Sequence, residues 1–193
     1  ILGQAGARLA LTYQNDRLKD RVARLGDTLD DPLLVQCDAT DDQQITDMFQ
    51  QVEQTFGEIS FLVHSIAFAN REDLSRPFSE TGREGFRLAL EVSAYSLIPL
   101  VRHAAPLMKN GGSVVAMTFQ ASQRVFPGYN VMGTAKAALE HEVRQLAFEY
   151  GEQNIRLNAI SAGPLETLAA RGIDGFRDMR RTHAEKAPLK RNI

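Results

Sequence analysis

Three consecutive stretches decide the fold: Gly112-Ser113-Val114-Val115-Ala116-Met117-Thr118, a helical pattern over residues 129–151, and Ile155-Arg156-Leu157-Asn158-Ala159-Ile160. The outer two are short, apolar and bounded by turn residues, which predicts strands. A long helical run between two such strands is a strand–helix–strand crossover, the unit that joins parallel strands. The alternation continues outward. Strands are expected over 7–13, 32–37 and 60–67. Helices are expected over 17–29, 42–56 and about 81–109, the last ended by Asn110-Gly111-Gly112. A further helix is expected over 175–186. Asp41 and Asp42 open the second helix, where the helix dipole favours carboxylates. Strands alternating with helices predict an α/β fold with a parallel sheet and helices on both faces, in one domain spanning 1–193.

The bulk properties fit that reading. The 193 residues are 44% hydrophobic and 24% charged, with a formal net charge of -2. No whole-molecule field invites nucleic acid. No apolar run approaches the ~20 residues of a membrane span, and no signal peptide is visible. The one cysteine, Cys37, precludes a disulfide within the chain, so a cytoplasmic setting is expected, with Cys37 a small core residue. The sequence begins at Ile1 and stops at Ile193, and both ends read as cut.

Ligands of such sheets bind beyond the carboxyl ends of the strands. Those ends carry Gln14-Asn15-Asp16, Asp38-Ala39, His64-Ser65-Ile66-Ala67 and Thr118-Phe119. The sharpest segment is Pro127-Gly128-Tyr129-Asn130-Val131-Met132-Gly133-Thr134-Ala135-Lys136. Pro127-Gly128 is a turn, which places Tyr129 at a helix start. Tyr129 and Lys136 then project from nearly one face, two turns apart. A phenol and an ammonium in one cleft can cooperate, the ammonium favouring the ionised phenol and holding sugar hydroxyls. Spacing alone describes equally an amphipathic helix with a surface lysine and an interfacial tyrosine.

The residues 129–140 resemble the signature of the enoyl-acyl-carrier-protein reductases of the short-chain dehydrogenase superfamily. So do Arg156-Leu157-Asn158-Ala159-Ile160-Ser161-Ala162-Gly163-Pro164-Leu165-Glu166-Thr167-Leu168-Ala169, Leu11-Thr12-Tyr13-Gln14-Asn15-Asp16 and Val63-His64-Ser65-Ile66-Ala67-Phe68-Ala69. The match runs in order over nearly the whole chain. It implies a Rossmann-like doubly wound sheet whose first and last strands lie outside the sequence. The first is central in such sheets, so its two neighbours would lack ladder partners. The 193 residues alone would then fold poorly and bind cofactor weakly.

The resemblance also implies the chemistry. NADH reduces the double bond of a trans-2-enoyl thioester on acyl carrier protein, in fatty-acid synthesis, within a homotetramer. Tyr129 would hydrogen-bond the thioester oxygen and Lys136 would hold the nicotinamide ribose. Gln14, Asp38 and Ala39 would meet the adenosine half. Ser65, Ile66 and Ala67 would lie beside the nicotinamide half. Leu165, Glu166, Thr167, Leu168 and Ala169 would contact nicotinamide and pyrophosphate, with Thr167 donating to a phosphate oxygen. Ala69 and Met132 would lie near the acyl substrate, and residues 165–175 match the family's mobile substrate loop. No metal is implied.

Two positions depart from the family pattern. Phe119 stands where the family often has a second tyrosine and can supply no proton. Glu166 stands where many relatives carry a basic residue, and its carboxylate would repel a pyrophosphate unless it faced solvent. Ordinary short-chain dehydrogenases place the tyrosine four residues before the lysine, where this chain has Met132. That argues against a 3-oxoacyl reductase. A non-catalytic nucleotide-binding homologue is the remaining alternative, opposed by the presence of both Tyr129 and Lys136.

Overall fold

The computed structural model describes residues 2–165 and 175–192. Strands β1 (Ala10–Tyr13) and β2 (Leu33–Gln36) flank helix α1 (Asp16–Gly26). Helix α2 (Asp42–Phe56) leads to β3 (Phe61–His64). The short α3 (Arg71–Ser75), then α4 (Arg83–Leu90) and α5 (Leu97–Ala104), precede β4 (Gly112–Thr118). Helix α6 (Val131–Tyr150), β5 (Ile155–Ser161) and α7 (Phe176–Lys186) follow.

Helix α2 shows how the sequence sets these elements. Asp41 is extended and its side chain accepts hydrogen bonds from the backbone N–H groups of Gln43 and Gln44. Those donors would otherwise be orphaned in the first turn. Ile45, Met48, Phe49 and Val52 then recur at helical spacing and are buried against β2 and α5.

All ladders are parallel. β1 pairs with β2, Ala10 opposite Leu33 and Tyr13 opposite Gln36. The remaining strands are ordered β3-β4-β5, with His64 opposite Ala116 and Thr118 opposite Ser161. Among the described residues no ladder joins β1 to β3. One core nevertheless runs through both sheets, from Val35 on β2 to Val114 on β4 and Leu139 on α6. Among the described residues no helix is long and apolar enough to cross a membrane.

Besides smaller shifts, with α1 ending at Gly26 and not at residue 29, the elements differ from the sequence reading in four places. Strand β1 begins at Ala10, not residue 7, because Gly3–Ala5 form a 3-10 turn and Gly6 reverses the chain at φ 88°. β3 ends at His64, where the chain leaves its ladder with β4 for the cleft. The expected single helix over 81–109 is broken by a π-helical turn, Glu91–Tyr95, ahead of α5. Pro99 explains the break: it has no N–H, and its ring crowds the carbonyl four residues back, at Tyr95. Helix α6 starts at Val131, so Tyr129 sits in the turn before it.

Candidate active site

The carboxyl ends of β3, β4 and β5 meet at a cleft of about 500 Å³. Ser65, Ala67 and Ala69 line it from the segment after β3. Phe119 lines it from the end of β4, Leu165 from beyond β5, and Tyr129, Met132 and Lys136 from the start of α6. The sequence had marked all eight, and the fold brings them together. Ile66 is different: it packs, partly buried, against the hydrophobic core. Glu166, Thr167, Leu168 and Ala169 lie outside the described residues, as does most of the expected substrate loop.

Gln14 and Asp38 are brought together at the ends of β1 and β2, where the Gln14 amide donates to Asp38 Oδ2 at 2.9 Å. Ala39 is half-buried beside them. Burial works to raise the Asp38 carboxyl. Hydrogen bonds from Thr40 and Gln14 outweigh it and hold the group below the usual carboxylate range. Cys37, next to this pair, packs partly buried against the core. Burial first, then Asp38 and Asp41, raise its thiol to about 11, so it stays protonated and inert.

Lys136 is 5% exposed. Its Nζ donates to the Met117 carbonyl at 2.7 Å, which leaves further ammonium protons for a ligand. Burial lowers it to about 8. Tyr129 moves the other way, pushed up to about 12 by burial. This corrects the expectation that the lysine favours the ionised phenol. Desolvation dominates, so Tyr129 is a neutral hydrogen-bond donor at working pH. Phe119 packs on it with ring centroids 5.0 Å apart at 59°, and on Phe126 at 4.9 Å and 48°. These tilted arrangements suit aromatic quadrupoles and fix the tyrosine ring. Phe119 therefore shapes the cleft and delivers no proton.

Three supports escaped the sequence reading. Asn130 adopts φ 36° and ψ -119°, an unusual backbone for a residue with a side chain. Its Nδ2 lies within donating distance of three carbonyls at the end of α3: Arg76 at 2.8 Å, Leu74 at 3.0 Å and Asp73 at 3.4 Å. The strained residue thus clamps α3 to the turn that carries Tyr129. Gly133 lets α6 approach the loop after β4, since a Cβ there would lie 3.0 Å from the Ala121 carbonyl. Glu140 accepts from Thr118 at 2.8 Å and Ser122 at 2.6 Å, tying that loop to α6. A turn-plus-asparagine pattern at 127–130 was the available signal for the first; the others carry none.

A further support is His64, marked in the sequence at the end of a strand and fully buried under the cleft. Ser96 donates to the Val92 carbonyl at 2.8 Å, so the His64 Nε2–H donates to Ser96 Oγ, also at 2.8 Å. Burial, and secondarily Lys136, lower this imidazole to about 4, so it is neutral.

A buried donor and a buried cation sharing a cleft beyond parallel strand ends narrow the possibilities, and comparison with known proteins decides among them. The family described as "Enoyl-(Acyl carrier protein) reductase" matches residues 1–193. The chain belongs to this family. The NADPH enoyl-[acyl-carrier-protein] reductase FabI of Staphylococcus aureus is 46% identical over 195 positions, covering 100% of this chain and 76% of that protein. The NADH enzyme FabI of Bacillus cereus is 45% identical over 192 positions, covering 98% and 75%. A crystal structure of the Bacillus cereus enoyl-acyl carrier protein reductase with NADP+ and indole naphthyridinone is similar at a TM-score of 0.96 and 45% identity, covering 98% of this chain and 75% of that one. The α/β, Rossmann-like architecture expected from sequence is therefore the architecture of this enoyl reductase family, and the chain spans about three quarters of these relatives.

Proposed function

We propose that the protein is an NADH-dependent enoyl-[acyl-carrier-protein] reductase, with residues 1–193 forming part of its single dinucleotide-binding and catalytic domain. The observation that carries this reading is the cleft that holds neutral Tyr129 beside buried, carbonyl-anchored Lys136. The residues present fit a nicotinamide dinucleotide. Lys136 has spare ammonium protons for ribose hydroxyls, and Gln14 and Asp38 stand where such sheets meet the adenosine ribose. Bound there, the dinucleotide supplies hydride to the β-carbon of the enoyl thioester.

The chain's own residues do the rest. Hydride addition would leave an enolate; the Tyr129 hydroxyl donates a hydrogen bond to its oxygen while charge sits there, and the α-carbon then takes its proton from water. A neutral phenol held in a buried site costs little reorganisation in that step. Lys136 holds the ribose and so orients the cofactor. Ala69 and Met132 flank the acyl chain, and Ser65 and Ala67 lie beside the nicotinamide. Leu165 lines the same cleft. Side-by-side assay of trans-2-enoyl and 3-oxoacyl thioesters tests the reading. NADH oxidation with the enoyl substrate supports it; oxidation with only the 3-oxo substrate, or neither, overturns it.

The choice of NADH rests on Gln14, Asn15 and Asp16 at the adenosine ribose. The extra phosphate of NADPH calls for a nearby cation, and Asp16 opposes it. Arg17 and Lys19 stand at the start of α1 and are both exposed. The expected kcat/KM is higher with NADH than with NADPH. A preference for NADPH that Arg17→Ala abolishes would identify Arg17 as a phosphate ligand and sink the assignment.

The reading includes a cytoplasmic homotetramer. On the 81–109 segment the apolar residues divide between core and surface. Ala89, Leu97, Leu100 and Val101 are consumed by the chain's own core, with Leu90, Val92 and Ile98 half-buried. The exposed Phe86, Tyr95 and Phe148 are the better candidates. Light scattering should give a tetramer at micromolar concentration, and a monomer would contradict this.

A further inference from the structure

The segment from Ser65 to Asn70 belongs to no strand or helix, yet Ser65, Ala67, Phe68 and Ala69 form one wall of the Tyr129 cleft. Among the described residues, its backbone from 65 to 69 enters no backbone–backbone hydrogen bond. A wall without such bonds needs another tether to keep one position. The π turn Glu91–Tyr95 supplies it. Ser93 is fully buried, accepts from the Phe68 N–H at 2.9 Å and donates to the Phe68 carbonyl at 3.1 Å. Its one proton is thereby used, so Met132 Sδ, 3.7 Å away on α6, is a packing contact. Ser96, also fully buried, receives His64 where the segment leaves β3. The Ser96 N–H reaches back five residues to the Glu91 carbonyl at 3.1 Å, and its hydroxyl takes the Val92 carbonyl at 2.8 Å. Two serines at one π turn thus hold the chain at His64 and at Phe68.

We propose that Ser93 is a positioning residue for hydride transfer, tying the 65–69 wall to the π turn and so setting its distance from Tyr129 and Lys136. The inference deepens the enoyl reductase reading and rests on it. Ser93 is not among the residues that line the cleft, and it acts through the wall. It fixes Phe68, which stands between Ala67 on the nicotinamide side and Ala69 on the acyl side. Its contact with Met132 makes it the point where the wall meets α6, the helix that carries Lys136. Isolated π turns concentrate at functional sites, and this one aims a hydroxyl at the wall. Hydride transfer needs its reacting carbons about 3–3.5 Å apart, and a displacement of about 1 Å can cost about 10²-fold in rate.

Three variants of the intact protein test this. Ser93→Ala deletes the tether, Ser93→Cys weakens it in nearly the same volume, and Ser93→Thr keeps the hydroxyl. Without cofactor, amide hydrogen exchange over residues 65–70, read by mass spectrometry, should quicken about five-fold or more in the alanine and cysteine variants, the worth of one hydrogen bond. Exchange in β3 and β4 should stay as it was. With NADH bound, single-turnover hydride transfer to a trans-2-enoyl thioester should slow about ten-fold or more in the same two variants. The affinity for NADH should hold, and Ser93→Thr should resemble the unaltered protein in both measurements. Faster exchange throughout β3 and β4, with transfer per bound NADH unchanged, would mark a merely structural serine and overturn the proposal. Unchanged exchange over 65–70, unchanged transfer, or a threonine variant as slow as the alanine one would overturn it too. If Ser93→Ala does not fold, Ser93→Cys decides; if neither folds, Ser93 serves stability and the proposal is wrong. If the unaltered protein reduces no enoyl thioester, the exchange result still tests the tether, and the failure lies with the enoyl reductase reading.

Discussion

Replacing Tyr129 with phenylalanine is expected to lower kcat by about 10²–10³, the usual consequence of losing one oxyanion donor. Cofactor affinity should stay unchanged. Burial pushes the Tyr129 hydroxyl up to about 12, so it enters the reaction as a neutral donor. Its hydrogen bond strengthens only as charge reaches the substrate oxygen, so its loss appears in kcat and kcat/KM together. The phenyl ring retains the packing with Phe119, so the cleft keeps its shape. Stopped-flow turnover and fluorescence titration of NADH would separate the two effects. Turnover preserved with several enoyl substrates would remove Tyr129 from the chemistry. Phe119, with no hydroxyl, could not replace it.

Lys136→Met should act on binding. Charge-assisted hydrogen bonds to the ribose imply that the Kd for NADH rises by about 10- to 100-fold. The same affinity in the unaltered protein should weaken as pH passes about 8, where the buried ammonium loses its proton. Stability moves the opposite way. The folded value is depressed from 10.5 to about 8. Between those limits the unfolded chain binds more protons, so stability rises with pH across that window. Below about 8 the buried cation is a liability that folding must offset. Urea midpoints between pH 8 and 10.5 should therefore climb in the unaltered protein and climb less in Lys136→Met. Equal slopes would show that Lys136 is not the titrating group.

Much of this architecture was legible because its causes are local. The Asp41 cap and the Ile45, Met48, Phe49, Val52 stripe declare α2 within one stretch of chain. Tyr129 and Lys136 were visible as a pair because one short segment holds both. The unread features have distant causes. Asn130 is clamped by carbonyls 54 to 57 residues away. The π turn answers a proline beyond it and places Ser93, whose hydroxyl meets both backbone polar groups of Phe68. The direction of the Tyr129 shift follows from burial, which spacing does not report.

The central claim is that this cleft reduces a carbon–carbon double bond, with hydride going to the β-carbon and Tyr129 facing the thioester oxygen. NADH carrying deuterium at the transferable C4 position tests it most directly. Incubation with a trans-2-enoyl thioester, followed by mass spectrometry of the acyl group, should give a saturated chain with one deuterium at its β-carbon. Tyr129→Phe should give the same product more slowly. An acyl group recovered unsaturated, or saturated without deuterium at that carbon, would contradict the account.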